Sequence, residues 1–262
     1  MLENVKRVVV KIGTSSLILP NGQTNLKAID SLAFVLSTLN HQGYEVTLVS
    51  SGAMGVGLAS EGLTQRPHEI AQQQALASVG QTELMRIYSQ RFLDYQTKVG
   101  QLLLTRDVLH FPVSRQHVLN TLNVLLADHV IPIINENDSV AVDELDHHTT
   151  FSDNDELSAL VATRMGADLL IVLSDIDAFY DKDPHKYKDA QPIHQIAEVT
   201  PELEKAASGS STRFGTGGMV TKLHAATTMM KANKQMVLCN GKDPRVIFKV
   251  LNGDQVGTHF GK

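Results

Sequence analysis

Short apolar runs recur along the chain at 5–12, 45–49, 99–104, 130–134, 169–173 and 235–239, separated by stretches of helical periodicity. The runs are nearly continuous in valine, isoleucine and leucine instead of alternating, which is how strands covered on both faces read. Strands that alternate with helices in this way build an α/β protein around a mainly parallel sheet. Helices are expected at 26–42, at 69–95 with a break near Gly80, and at 114–128, 156–165, 220–233 and 244–251. Gly43, Gly166 and Gly253 stand where helix ends take a left-handed residue. The polar stretch 181–192, with two prolines, reads as a surface insertion between core strands. No repeat, low-complexity tract or Pro/Ser-rich linker divides the chain, so a single domain over residues 1–262 is expected.

Composition narrows the partners. A hydrophobic fraction of 42%, a charged fraction of 19% and a net charge of −5 describe an ordinary soluble chain. Nothing in that balance draws it to nucleic acid or to an anionic membrane. Cys239 is the only cysteine, which excludes an intrachain disulfide framework and suits a reducing compartment. There is no run of 18 apolar residues and no signal peptide, so a cytoplasmic location is expected.

Two lysine-bearing loops carry the strongest chemical signal. In the first, Val8-Val9-Val10-Lys11-Ile12-Gly13-Thr14-Ser15-Ser16, an apolar strand breaks into small polar residues. In the second, Gly215-Thr216-Gly217-Gly218-Met219-Val220-Thr221-Lys222, a glycine cluster opens a helix. Glycines let backbone N–H groups approach a phosphate, the helix N-terminus adds partial positive charge, and lysine supplies a full one. Two such loops suit a phosphoryl transferase, which holds a nucleotide tail and neutralises the group in flight. Lys11 should project from the carboxyl end of a central strand, the edge at which open α/β sheets bind ligands. A surface lysine snorkelling past the core is the alternative. The second loop is not a Walker A motif, because Thr221 precedes Lys222 and Leu223 follows it.

Three further strand ends carry polar groups. Val49-Ser50-Ser51-Gly52-Ala53-Met54-Gly55-Val56-Gly57 offers backbone donors and hydroxyls to a carboxylate or phosphate, or else permits close packing of a helix on the sheet. Ile133-Ile134-Asn135-Glu136-Asn137-Asp138 ends another strand, and Asp153-Asn154-Asp155 leads into a helix. Capping accounts for one such residue; the cluster could also hold an amino group, position lysines, or approach Mg²⁺ through water. Ser174-Asp175 closes a third, followed by Phe179-Tyr180, an aromatic pair that either packs on an adenine ring or fills the core. His147-His148 are sequence neighbours and poor chelators without more ligands, and Met219, Met229 and Met230 read as helix packing. No metal or redox centre with direct protein ligands is expected.

Taken together these motifs resemble the amino-acid kinase superfamily, and within it the glutamate 5-kinase family, over nearly the whole chain. The markers are Val-Val-Lys-Ile-Gly-Thr-Ser at 9–15, Val-Ser-Ser-Gly-Ala at 49–53, Ile-Asn-Glu-Asn-Asp at 134–138, Asp-Asn-Asp-Glu-Leu-Ser-Ala at 153–159, Gly-Thr-Gly-Gly-Met-Val-Thr-Lys at 215–222 and Val-Gly-Thr-His-Phe at 256–260. Acetylglutamate kinases and aspartokinases usually carry paired glycines where this chain has Gly13-Thr14. The resemblance implies a three-layer α/β/α sandwich around an eight-stranded, mostly parallel sheet. It also implies ATP-dependent, Mg²⁺-assisted phosphorylation of the side-chain carboxylate of L-glutamate, the first step of proline synthesis.

By the same resemblance Lys11, Ser174, Asp175, Thr216, Gly217, Gly218, Met219, Val220, Thr221 and Lys222 would hold ATP. Ser51, Asp138 and Asn154 would hold glutamate, and Asp155 would orient the two lysines. Ser174 stands where threonine is common. Many members continue into a C-terminal PUA domain of the kind seen in RNA-modifying enzymes; this chain stops at Lys262, so none is expected. Feedback inhibition by proline, hand-off of the acyl phosphate to glutamyl-phosphate reductase and a homo-oligomeric state are the family's further implications. The rival readings are a kinase of the same superfamily with another acceptor, and a nucleotide- or amino-acid-binding sensor without turnover.

Overall fold

The computed structural model of the chain describes residues 5–140, 154–184, 186–207 and 218–261. The first part runs through β1 (Arg7–Ile12), the single turn α1 (Thr14–Leu17), α2 (Leu26–His41), β2 (Glu45–Ser50), α3 (Ala53–Ser60) and α4 (Ile70–Asp94). Next come β3 (Val99–Leu104), α5 (Arg106–His110), α6 (Pro112–Ala127), β4 (Ile131–Glu136), α7 (Asn154–Arg164) and β5 (Leu169–Ser174). The last part holds β6 (Phe179–Tyr180), β7 (Pro192–Ile193), β8 (Gln195–Ile196), α8 (Pro201–Ala207), α9 (Met219–Lys231), β9 (Gln235–Asn240), α10 (Val246–Leu251) and β10 (Thr258–Phe260).

Eight strands form one sheet in the order β3-β4-β2-β1-β5-β9-β10-β8. The six from β3 to β9 are parallel, β10 runs antiparallel to β9, and β8 pairs parallel with β10. Period-two alternation along β1 assigns the two layers. Val8, Val10 and Ile12 join the core under α2, α4 and α10, whereas Val9 joins the core under α6, α7 and α9. Lys11 shares the face of Val9 and so points toward α7 and α9. In α2 the residues Ile29, Leu32, Ala33, Leu36 and Leu39 form one buried stripe, and the Asn25 side chain caps the helix by accepting from the Ala28 N–H. No helix among the described residues is long and apolar enough to cross a membrane.

Several elements differ from the sequence expectation. α4 runs unbroken through Gly80. A Cβ there would stand 1.8 Å from the Ala53 carbonyl oxygen, so this glycine lets α3 lie directly on α4. The small residues 52–57 do form a packed helix, but its close partner is α4 and not the sheet. Gly52 enters that helix at φ 101°, a left-handed turn that only glycine adopts freely. Asn154 and Asp155 are the first residues of α7, within the helix and not in a loop ahead of it. Phe179 fills the core, 6.5 Å from the Phe260 ring in an edge contact, which decides against adenine stacking for that residue. The stretch 181–192 links the short hairpin β6–β7, where Lys182 pairs with Asp189 at 2.6 Å and faces the Tyr187 ring. His147 and His148 lie outside the described residues.

Candidate active site

The parallel strands all end on one edge of the sheet. Lys11 lies opposite Val49 of β2 and Val172 of β5, Ile12 opposite Ser50, and Ser174 opposite Asn240. α7 and α9 run back against their strands, so their N-terminal turns arrive at that same edge. The geometry gathers Lys11, Ser51, Asn135, Asn154, Asp155 and Lys222 there.

Asp155 has no solvent exposure and joins the two lysines that lie more than 200 residues apart in sequence. Lys11 Nζ is 2.6 Å from its Oδ1, and Lys222 Nζ is 3.2 Å from its Oδ2. Thr221 Oγ1 lies 3.1 Å from Oδ2 and 2.8 Å from the Gly218 carbonyl oxygen, so its one proton is shared between two acceptors. Burial pushes the Asp155 carboxyl up, but Lys11 and Lys222 outweigh it and hold the group well below the usual carboxylate range. Both lysines are buried as well, at 5% and 6% exposure. Two ammonium groups against one carboxylate leave these three side chains positive in sum, which suits an anionic ligand.

A second, uncharged network lies beside this triad. Asn154 Nδ2 donates to Ser51 Oγ at 2.8 Å and to Asn135 Oδ1 at 3.0 Å. Asn135 Oδ1 also accepts the Glu136 N–H at 2.9 Å, while Asn135 Nδ2 donates to Gln81 Oε1 at 2.8 Å. From the other side the Tyr88 hydroxyl bonds Ser50 Oγ at 2.8 Å, and Ser50 Oγ donates to the Ser51 carbonyl at 2.9 Å. Burial pushes the Tyr88 hydroxyl above its ordinary pKa, so it stays protonated. Asp138 sits on the turn after β4 and lines a cavity of about 340 Å³ together with Gln81, Thr82, Met85, Gln101 and Asn137. Gln81 thus belongs to both cavity and network.

At the end of β5, Ser174 is buried and its Oγ donates to Asp175 Oδ1 at 3.1 Å, while Asp175 is exposed. Gly218, Met219, Val220 and Thr221 are half-buried at the opening turn of α9. Thr216 and Gly217 lie outside the described residues. Among the described residues no group of three His, Cys, Asp or Glu side chains is placed to hold a metal ion. Gln81 and Tyr88 have no local signal in the sequence: each is one polar residue inside a long helix, and only the tertiary fold brings it to the strand ends.

Comparison with known proteins gives the family. Residues 6–240 match the amino acid kinase family. The chain is 60% identical over 256 residues to the glutamate 5-kinase of Lactiplantibacillus plantarum, covering 98% of this chain and 97% of that protein. It is 57% identical over 261 residues to the glutamate 5-kinase of Ligilactobacillus salivarius, covering 100% and 98%. Among solved structures, isopentenyl phosphate kinase of T. acidophilum superposes with a TM-score of 0.65 at 16% identity, over 97% of this chain and 99% of that one. UMP kinase of Bacillus anthracis gives 0.63 at 17% identity, over 97% and 95%. At those identities the structural likeness speaks for the fold alone. The buried Lys–Asp–Lys triad at the sheet edge and the sequence likeness agree: the chain belongs to the amino acid kinase family and, within it, to the glutamate 5-kinases.

Proposed function

We propose that this chain transfers the γ-phosphoryl group of ATP to the side-chain carboxylate of L-glutamate, giving L-glutamyl 5-phosphate and ADP, the opening step of proline biosynthesis. The observation that carries the reading is the pair of buried lysines held on one buried carboxylate at the sheet's carboxyl edge. The attacking carboxylate is already ionised at neutral pH, so the site needs no general base. The difficulty is bringing one anion up to another. Lys11 and Lys222 meet it by placing fixed positive charge where the transferring group gains negative charge, and Asp155 keeps both ammonium groups oriented before substrate arrives. Asp155 itself remains ionised throughout and moves no proton.

In this reading Ser51, Asp138 and Asn154 hold glutamate. Ser174, Asp175 and the segment from Thr216, Gly217, Gly218, Met219, Val220 and Thr221 to Lys222 hold the nucleotide. The substrate is MgATP, whose ion offsets part of the triphosphate charge. Asp155 is already engaged by both lysines, which fits an ion that arrives on the nucleotide. The reading extends to a cytoplasmic homo-oligomer, feedback inhibition by L-proline and consumption of the acyl phosphate by glutamyl-phosphate reductase, as the family resemblance supports.

The test is turnover with MgATP in the presence of hydroxylamine, which traps an acyl phosphate as its hydroxamate. L-Glutamate, N-acetyl-L-glutamate and L-aspartate are compared as acceptors. The expected result is hydroxamate formed with glutamate and little with the other two. Product formed only with another acceptor would overturn the substrate, and nucleotide binding without product on any of them would favour a sensor.

A further inference from the structure

The substrate end of the site is oriented by a chain of three amides. It is anchored on the Glu136 backbone N–H, which donates to Asn135 Oδ1 at 2.9 Å. A backbone N–H can only donate, so the oxygen of Asn135 must face it and the NH₂ must face away. That NH₂ donates to Gln81 Oε1 at 2.8 Å. Asn135 Oδ1 takes a second bond from Asn154 Nδ2 at 3.0 Å, and the same Nδ2 donates to Ser51 Oγ at 2.8 Å. With both its hydrogens engaged, Asn154 turns its own carbonyl oxygen away from the relay. That oxygen is buried and has no hydrogen-bond partner among the described residues, on a residue only 6% exposed. A buried acceptor left open is unfavourable, and a donor on the ligand would satisfy it. On glutamate at neutral pH the α-ammonium is the donor, since both carboxylates only accept.

We propose that Gln81 is a positioning residue for amino-acid recognition, holding Asn135 so that the carbonyl oxygen of Asn154 is presented to the α-ammonium of the acceptor. This rests on the reading above that the acceptor is glutamate held in part by Asn154. Gln81 is 8% exposed on α4, and its Oε1 is the acceptor that satisfies the buried Asn135 NH₂. Remove that acceptor and Asn135 carries a buried donor with no partner where it stands. Its side chain then leaves its place, and Asn154 loses the oxygen that sets which way its amide faces.

The full chain is assayed as wild type, Gln81→Met, Gln81→Glu, Asn135→Ala, Asn154→Ala and Gln81→Met/Asn135→Ala. The readouts are KM for glutamate, KM for ATP and the inhibition constant of glutarate, which has both carboxylates but no amine. Gln81→Met should raise the glutamate KM about tenfold, the size of one lost hydrogen bond to a charged group's partner, with ATP and glutarate within about twofold. It should add nothing further in the Asn135→Ala background, because the two residues act as one unit. Gln81→Glu keeps an acceptor toward Asn135 and should keep the preference for glutamate over glutarate. Should thermal denaturation show Gln81→Met unfolded, Gln81→Lys, which puts a donor in place of the acceptor, serves in its stead and should lose the same preference.

Equal losses for glutamate and glutarate, or additive effects of Gln81→Met and Asn135→Ala, would overturn the relay. Loss of the preference in Gln81→Glu would do the same. An unchanged glutamate KM in Asn154→Ala would instead overturn the acceptor site on which the proposal rests, so the two failures are distinguishable.

Discussion

Asp155 stands without solvent between two buried ammonium groups, and its contacts with Lys11, Lys222 and Thr221 leave it little freedom. Replacing it by asparagine keeps the shape and removes the charge that both lysines were built around. Breaking a buried ion pair from one side typically destabilises by about 3–5 kcal/mol, because the remaining charge is left uncompensated. Asp155→Asn should therefore lower both the melting temperature and kcat, measured by thermal denaturation and by the hydroxamate assay. An unchanged kcat in a folded variant would show that the lysines need no orienting carboxylate. Ser174 offers the opposite expectation. Its hydroxyl is its polar contribution, so Ser174→Thr should leave the ATP KM within about threefold, as substitutions that retain the hydrogen bond do. The candidate residues stood out in the sequence because strand ends and helix starts are local patterns. The contact of Lys11 with Lys222 through Asp155 was legible only through family resemblance, since no local rule joins residues so distant in the chain.

At the scale of the element, the crossing of α3 on α4 ties the helices to the carboxyl edge of the sheet. α3 begins two residues after Ser51, and α4 carries Gln81 and Tyr88, so the close approach at Gly80 sets where all three stand. A methyl group at Gly80 would meet the Ala53 carbonyl at 1.8 Å, and at Gly57 the Leu76 carbonyl at 2.4 Å. Gly80→Ala should cost about 1–3 kcal/mol of stability, the usual range for overpacking, and raise the glutamate KM by displacing the Ser51 turn. Denaturation and steady-state kinetics together check this; a variant as stable as wild type with unchanged KM would contradict the tight crossing. Gly80 also explains why a helix break was expected there and is absent. In sequence a mid-helix glycine signals lost helix propensity, about 1 kcal/mol against alanine, whereas its reason here is a neighbouring helix that no local window contains. β8 and β10 escaped for a related reason: each is a piece of three residues or fewer whose pairing partner lies elsewhere in the chain.

For the whole molecule, the two edges of the sheet are held by different means. The carboxyl edge carries the Lys11–Asp155–Lys222 triad. At the amino edge Asp168 accepts the Lys6 and Arg7 backbone N–H groups at 3.0 and 2.9 Å and pairs with Lys234 at 3.2 Å. Burial pushes the Asp168 carboxyl up, but those N–H groups and Lys234 hold it below its ordinary value. Asp155 is depressed likewise. A carboxylate lowered in the folded state contributes stability that is full above its unfolded pKa, 3.8 here, and is lost as pH falls through the folded value. Stability measured by urea denaturation should thus hold from neutral pH down to about pH 5 and fall steeply below it. Asp168→Asn should narrow the gap between neutral and acid stability while leaving the triad intact. An acid loss as steep as wild type in that variant would remove Asp168 from the account. The parallel core was legible because doubly covered strands read as continuous apolar runs. The antiparallel end at β10 was not, because its three residues carry no such run.

The central claim is that Lys11 and Lys222 neutralise the transferring phosphoryl group, and the most direct test is kcat for Lys11→Met and Lys222→Met with saturating MgATP and L-glutamate. Loss of a preorganised transition-state donor predicts a fall in kcat of about 10²-fold or more in each variant, with the fold retained by circular dichroism. A folded variant with near wild-type turnover would contradict the account.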